Sequence, residues 1–134
     1  MLKVVVIDGN AISRNLLTSV LVNGGFDVVG DANTSSASLA NMIKLQPQLV
    51  CIDLGGSDDG AFEKLATIRT GLPKAVVFLV SGQFDAATVQ TAMVRGVHGF
   101  IVKPFNAVNV LGSIRKTIIK LAKQHRDSND DQGV

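Results

Sequence analysis

The sequence predicts a three-layer α/β domain on a doubly wound parallel sheet, and three observations carry that expectation. Five short apolar runs alternate along the chain with five segments of helical periodicity, the pattern of strand–helix units joined by right-handed crossovers. All but the second of these runs are continuously apolar rather than alternating, as strands covered on both faces are. The length, 134 residues at 46% hydrophobic and 18% charged, suffices for one core that needs neither a disulfide nor a structural metal.

Taken in order, Val4–Ile7 is the first strand and ends on Asp8, with Gly9 behind it. Asn10 suits the N-cap of a helix from Ala11 to about Val22, with Ile12, Leu16, Leu17, Val20 and Leu21 read as its apolar face and Gly24-Gly25 as its stop. Phe26–Gly30 carries the polar interruptions of an edge strand. After Asn33-Thr34 a second helix places Leu39, Met42 and Ile43 on one side, and Pro47 keeps it from running into the next strand. That strand, Leu49–Ile52, is apolar throughout and ends on Asp53. A polar loop from Gly55 to Gly60 leads into a short helix with Phe62, Leu65 and Ile68 inward and Asp59 as its expected cap. Ala75–Val80 is the fourth strand and ends on Ser81. Asp85 caps a helix to about Arg95, and Phe100–Val102 is a fifth strand closed by Lys103-Pro104-Phe105. Asn106 caps the last helix, which Val110, Leu111, Ile114, Ile118 and Leu121 carry to about Lys123. Residues 124–134 read as a polar tail beyond a domain of residues 1–123.

The expected strand order is 2-1-3-4-5, flavodoxin-like, with its topological switch between the first and third strands. Ligands of such sheets bind at the carboxyl ends of the strands, beside the switch. Asp8, Asp53, Ser81 and Lys103, far apart in sequence, would meet there. One strand-end aspartate alone is more simply a loop cap, and one lysine a surface charge. Four polar strand ends facing one crevice form a site.

The chemistry of that set is specific. Two carboxylates at close range repel unless a cation lies between them, and hard oxygen donors suit Mg²⁺ better than zinc. A lysine, a hydroxyl and the backbone N–H groups of glycine loops suit an anion with several oxygens. Carboxylate nucleophile, metal and anion clamp together indicate an aspartyl phosphate. A formal charge of +2 gives no reason to expect a nucleic-acid partner, and Arg115, Lys116, Lys120 and Lys123 read as a solvated helix face. Cys51, the single cysteine, lies in an apolar strand and reads as a core residue. Neither His98 nor His125 sits in a metal-ligand spacing. No apolar run has the length of a signal peptide or membrane span, so a soluble, cytoplasmic protein without membrane contact is expected.

In this order and spacing, Asp8-Gly9, Asp53, Ser81 and Phe100-Ile101-Val102-Lys103-Pro104-Phe105 resemble the receiver domain of two-component response regulators, from about Lys3 to Lys123. The resemblance implies that Asp53 accepts a phosphoryl group from a sensor histidine kinase or phosphotransfer protein, and that Ser81 and Lys103 bind its oxygens. It implies Ser81 and Phe100 as switch residues, a cis peptide at Lys103-Pro104, and Mg²⁺ held by Asp8, Asp53 and the Gly55 backbone carbonyl. Signals would leave through the fourth helix, fifth strand and fifth helix toward a downstream protein, from a monomer or weak homodimer that is not an enzyme. The chain departs from the family pattern at Gly9, where a second acid is usual, and in the loop after Asp53, which lacks a methionine-proline pair and is one residue short. Weakened metal binding is the expected consequence, with Asp58 or Asp59 as substitutes.

Three function classes follow. The first is a phosphoryl-accepting receiver that acts by protein contact, because the chain ends where an effector would begin. The second is a degenerate receiver used as a phosphorylation-independent binding module. The third, a flavin-binding or hydrolytic protein of the same architecture, is disfavoured because the chain has no tyrosine or tryptophan to stack on a flavin.

Overall fold

A computed structural model describes residues 2–56 and 58–132, the last five through their backbone alone; Ser57 of the glycine-rich loop and the final two residues of the tail lie outside it. The chain runs β1 (Lys3–Ile7), α1 (Ala11–Asn23), β2 (Asp27–Ala32), α2 (Ser36–Lys44), β3 (Leu49–Ile52), α3 (Asp59–Gly71), β4 (Val76–Ser81), α4 (Ala86–Val94), β5 (Gly99–Val102) and α5 (Ala107–Gln132). All pairings are parallel and the order is β2-β1-β3-β4-β5, as the alternating pattern predicts.

Strand alternation divides the core into two layers. Val5, Ile7, Val50, Ile52, Val77 and Leu79 face Leu39 and Met42 of α2 and Phe62, Leu65 and Ile68 of α3. Val4, Val6, Cys51, Phe78 and Val80 face Leu17 and Leu21 of α1 and Val110 and Ile114 of α5. Each fully buried Leu or Ile contributes about 1.5–3 kcal/mol of transfer free energy, so these layers dominate stability. One register row explains a glycine: Phe78 stands opposite Gly99, and a Cβ at Gly99 would collide with the Phe78 ring. Burial pushes the Cys51 thiol up to about 12, consistent with an inert core residue.

Four local readings need correction. Helix α1 turns Ile12 (74% exposed) and Leu16 (56%) to solvent, while Leu17 and Leu21 are buried. The inward position one turn before Leu17 belongs to Arg14, which bonds the Asp8 carbonyl and so rotates the stripe. The cap of α3 is Asp58, whose Oδ1 accepts from Ala61 N–H at 2.8 Å, and Asp59 is the first helical residue. Strand β2 starts at Asp27 and runs on to Ala32 with every residue but Asp31 half-buried, after a register shift between Val4 and Val5 of its partner. Finally, α5 continues through Gln132, past the end of its apolar stripe. No proline follows Pro104 and no glycine lies between Gly112 and Gly133, so nothing in the sequence stops it. The caps Asn10, Asp85 and Asn106 stand where the sequence places them.

Candidate functional site

Ladder hydrogen bonds carry each site residue to one edge of the sheet. Asp53 N–H donates to the Ile7 carbonyl at 2.8 Å, Asp8 N–H to the Ala32 carbonyl at 2.9 Å, and Lys103 N–H to the Ser81 carbonyl at 2.9 Å. Asp8 and Asp53 thus follow directly on the paired residues Ile7 and Ile52, across the switch point between β1 and β3.

The Lys103 ammonium lies between them, 2.6 Å from Asp53 Oδ2 and 2.9 Å from Asp8 Oδ2. Burial alone would push the lysine pKa down, but the hydrogen bonds and charges of Asp53 and Asp8 outweigh it and hold the ammonium above its ordinary value. The peptide before Pro104 is cis. The second oxygen of each carboxylate also has a partner. Asp8 Oδ1 takes the Asn10 N–H at 2.8 Å, and Asp8 is the one buried charged residue among those described. Asp53 Oδ1 takes the Gly55 N–H at 2.8 Å, a turn that needs the positive φ of +78° at Gly55.

Two cavities flank this centre. One, of about 620 Å³, runs from Asp8, Gly9 and Asp53 toward Thr34, Asp58 and Lys64. The other, of about 410 Å³, opens between Asp53, Gly55, Ser81, Gln83 and Lys103. Ser81 faces it with its hydroxyl turned into a local loop bond, donating to the Gln83 carbonyl at 2.9 Å. Asp53, Ser81 and Lys103 therefore share one cavity, and Asp8, Asp53, Gly55 and Lys103 the other. Phe100 stands apart, half-buried on β5, with its ring edge-on to Phe84 at 5.1 Å between centroids. Phe84 sits in the loop that begins at Ser81, so the hydroxyl and the aromatic residue are joined through that loop.

Two carboxylates and the Gly55 carbonyl are hard oxygen donors of the kind Mg²⁺ takes. Among the described residues, no group of three or more His, Cys, Asp or Glu side chains converges as a metal site. Asp58 lines the cavity but its carboxylate caps α3. The set fits Mg²⁺ in kind and is one carboxylate short. A Cβ built on Gly9 meets nothing within 4 Å, so the missing side chain leaves open space rather than a filled one.

Sequence reading missed Arg14, Phe84 and Lys64. Arg14 donates from Nη1 to the Asp8 carbonyl at 2.8 Å, and its Nε lies 3.2 Å from Asp31 Oδ1, a charge contact without hydrogen-bond alignment. Its signal was present: a cation four residues after an N-cap, on the side that packs against the sheet. A cavity at the opposite sheet edge, about 480 Å³ and lined by Leu2, Pro47, Leu72, Ile118 and Leu121, has only Lys74 as a charged lining group and no comparable chemistry.

The doubly wound sheet with a two-carboxylate, one-lysine pocket at its switch point defines the class, a flavodoxin-like domain with an acidic pocket. Within that class the chain belongs to the response regulator receiver domain family, whose model matches residues 4–115. It is similar to the chemotaxis protein CheY of Listeria monocytogenes, 28% identical over 116 residues that cover 87% of this chain and 98% of that one. It is also similar to the solved signal receiver domain of the response regulator NarL from Mycobacterium tuberculosis, at 27% identity and a TM-score of 0.70, covering 91% and 96% of the two chains. The chemotaxis response regulator CheY4 of Vibrio cholerae, 21% identical with a TM-score of 0.74 over 87% of this chain and 98% of that one, shares the fold. Receiver domains are signalling modules, generally non-enzymatic, and typically bind Mg²⁺ in their acidic pocket. Among the described residues no helix is long and apolar enough to cross a membrane.

Proposed function

We propose that this receiver accepts a phosphoryl group on Asp53 from a phosphohistidine of a sensor kinase or phosphotransfer protein. One observation supports it above the others: Asp53 and Lys103 meet at 2.6 Å on the edge of the sheet where ligands of this architecture bind. An Asp53 carboxylate oxygen attacks phosphorus, the P–N bond breaks, and the imidazole nitrogen leaves with the bonding pair and is protonated. Lys103 then exchanges part of its contact with Asp53 for a phosphoryl oxygen. Ser81 releases the Gln83 carbonyl and donates its hydroxyl to another. Asp8, Asp53 and the Gly55 carbonyl would hold Mg²⁺, whose chemistry is to offset charge on the transferring oxygens.

Turning Ser81 draws on the loop that bears Phe84, and Phe84 packs on Phe100. The response therefore passes to α4, β5 and α5, where a downstream protein binds. The protein is a non-enzymatic, cytoplasmic module, monomeric or weakly dimeric. A second reading, a receiver used as a phosphorylation-independent binding module, is favoured by Gly9 and by the commitment of both carboxylates to Lys103. Incubation with Mg²⁺ and acetyl phosphate separates the two. The first reading expects one added phosphate by intact mass, lost in Asp53→Asn. No adduct from acetyl phosphate or any histidine donor supports the second.

A further inference from the structure

The larger cavity holds a cation that the reading above does not use. Lys64, in the second turn of α3, lines the same cavity as Asp8, Gly9, Asp53 and Lys103. It is half-buried, and among the described residues it makes no salt bridge, whereas Lys103 is shared between two carboxylates. The other charged group on that wall, Asp58, is engaged in capping α3.

Charge bookkeeping at the pocket gives this position a role. An acyl phosphate brings about −1.5 to −2 charges, and here it would sit beside the buried carboxylate of Asp8. Beside any Mg²⁺ held by Asp8, Asp53 and the Gly55 carbonyl, Lys103 is the one side-chain cation at the centre among the described residues, and its ammonium has two carboxylate partners before any anion arrives. At Gly9, which lines the same cavity as Lys64, an added Cβ would meet no atom within 4 Å, so the cavity is open there. We propose that Lys64 is a second phosphoryl-contacting lysine, a point charge that shares with Lys103 the neutralisation of the group on Asp53. The proposal rests on the assignment of Asp53 as acceptor. A lysine that only covers the side of α3 with its stem would have the same burial and no effect on transfer.

The test compares wild type with Lys64→Gln and Lys64→Arg, using phosphoramidate as donor: Asp53 oxygen attacks phosphorus, the P–N bond breaks, and ammonia leaves. Lys64→Gln should slow phosphorylation by about threefold to tenfold, the range expected of a solvent-open charge contact, and Lys64→Arg should restore most of it. The same Lys64→Gln change should tighten Mg²⁺ in a calorimetric titration, because a cation is removed beside the carboxylates. Slower transfer with tighter metal is a pair of opposite signs that a packing defect does not produce. Equal rates for wild type and Lys64→Gln, or equal slowing of both variants at unchanged Mg²⁺ affinity, would overturn the role of Lys64 and leave Asp53 standing. A wild type that takes no phosphate from phosphoramidate, acetyl phosphate or a histidine donor would instead remove the acceptor assignment, and Lys64 with it.

Discussion

Replacing Lys103 with methionine keeps most of the side-chain volume and deletes the charge that separates Asp8 from Asp53. The ammonium bridges the two carboxylates at 2.9 and 2.6 Å, so the two bridged oxygens lie no more than about 5.5 Å apart, where two like charges repel by about 3 kcal/mol at an effective dielectric near 20. Removing one member of a buried ion pair costs about 3–5 kcal/mol, and the 22% exposure of the Lys103 side chain places this case at or below the low end. We expect Lys103→Met to lose about 2–3 kcal/mol at pH 7.5, which lowers the urea midpoint by roughly 1 M. The pH dependence has a definite sign. In the wild type the folded lysine pKa is raised, so its contribution is fully present below the unfolded value and is lost only as pH rises through the folded one, in strongly alkaline solution. In the variant the repulsion between Asp8 and Asp53 is left uncompensated, and Mg²⁺ should restore part of the loss. Adding Asp53→Asn should also reduce the penalty, so the two changes should not be additive. Equal stability of Lys103→Met and wild type at pH 7.5, with no response to Mg²⁺, would refute the bridging geometry.

Three further outcomes follow from the same structure. Gly9→Asp has open space for its side chain and should tighten Mg²⁺ by about tenfold to a hundredfold in calorimetry; unchanged affinity would show that another group already serves as the ligand. His98 Nδ1 accepts the Val77 N–H at 3.0 Å, and burial, with the Arg69 charge second, holds its pKa below the ordinary value. The unfolded chain therefore binds the proton first, and stability present above about pH 6.5 should fall as pH drops through the folded pKa. His98→Leu should lose that slope in acid denaturation and about 1–3 kcal/mol at neutral pH, because the Val77 N–H is left unpaired; an unaltered slope would assign it elsewhere. Beryllofluoride on Asp53 should shift amide resonances across residues 85–118, and shifts confined to the Asp53 loop would leave the α4-β5-α5 route without support.

The fold was legible because four of the five strands, all but the edge strand β2, are built on uninterrupted apolar runs that stop on a polar residue. That pattern both locates the sheet and aligns Asp8, Asp53, Ser81 and Lys103 along its edge. The face of α1 was not legible, because Ile12 and Leu16 outrank Arg14 on any hydrophobicity scale, and it is the Asp8 carbonyl and the Asp31 carboxylate that explain why the arginine points inward. The Asp58 cap and the length of α5 turn on one-residue and stop-signal choices that the local sequence leaves open. Lys64 was invisible for a different reason: its place on the cavity wall depends on the rotation of α3 and on the shortened loop before it. The bond from Ser81 to Gln83 is likewise a matter of one torsion angle that residue type does not determine.

The central claim is that Asp53 carries the phosphoryl group. Borohydride reduces an aspartyl phosphate to homoserine, so the protein should be phosphorylated with acetyl phosphate and Mg²⁺, reduced, digested, and the peptides sequenced by mass. Homoserine is expected at position 53 and at no other aspartate. Homoserine at Asp8, Asp58 or Asp59, or its absence from a protein that has gained phosphate by mass, would contradict it.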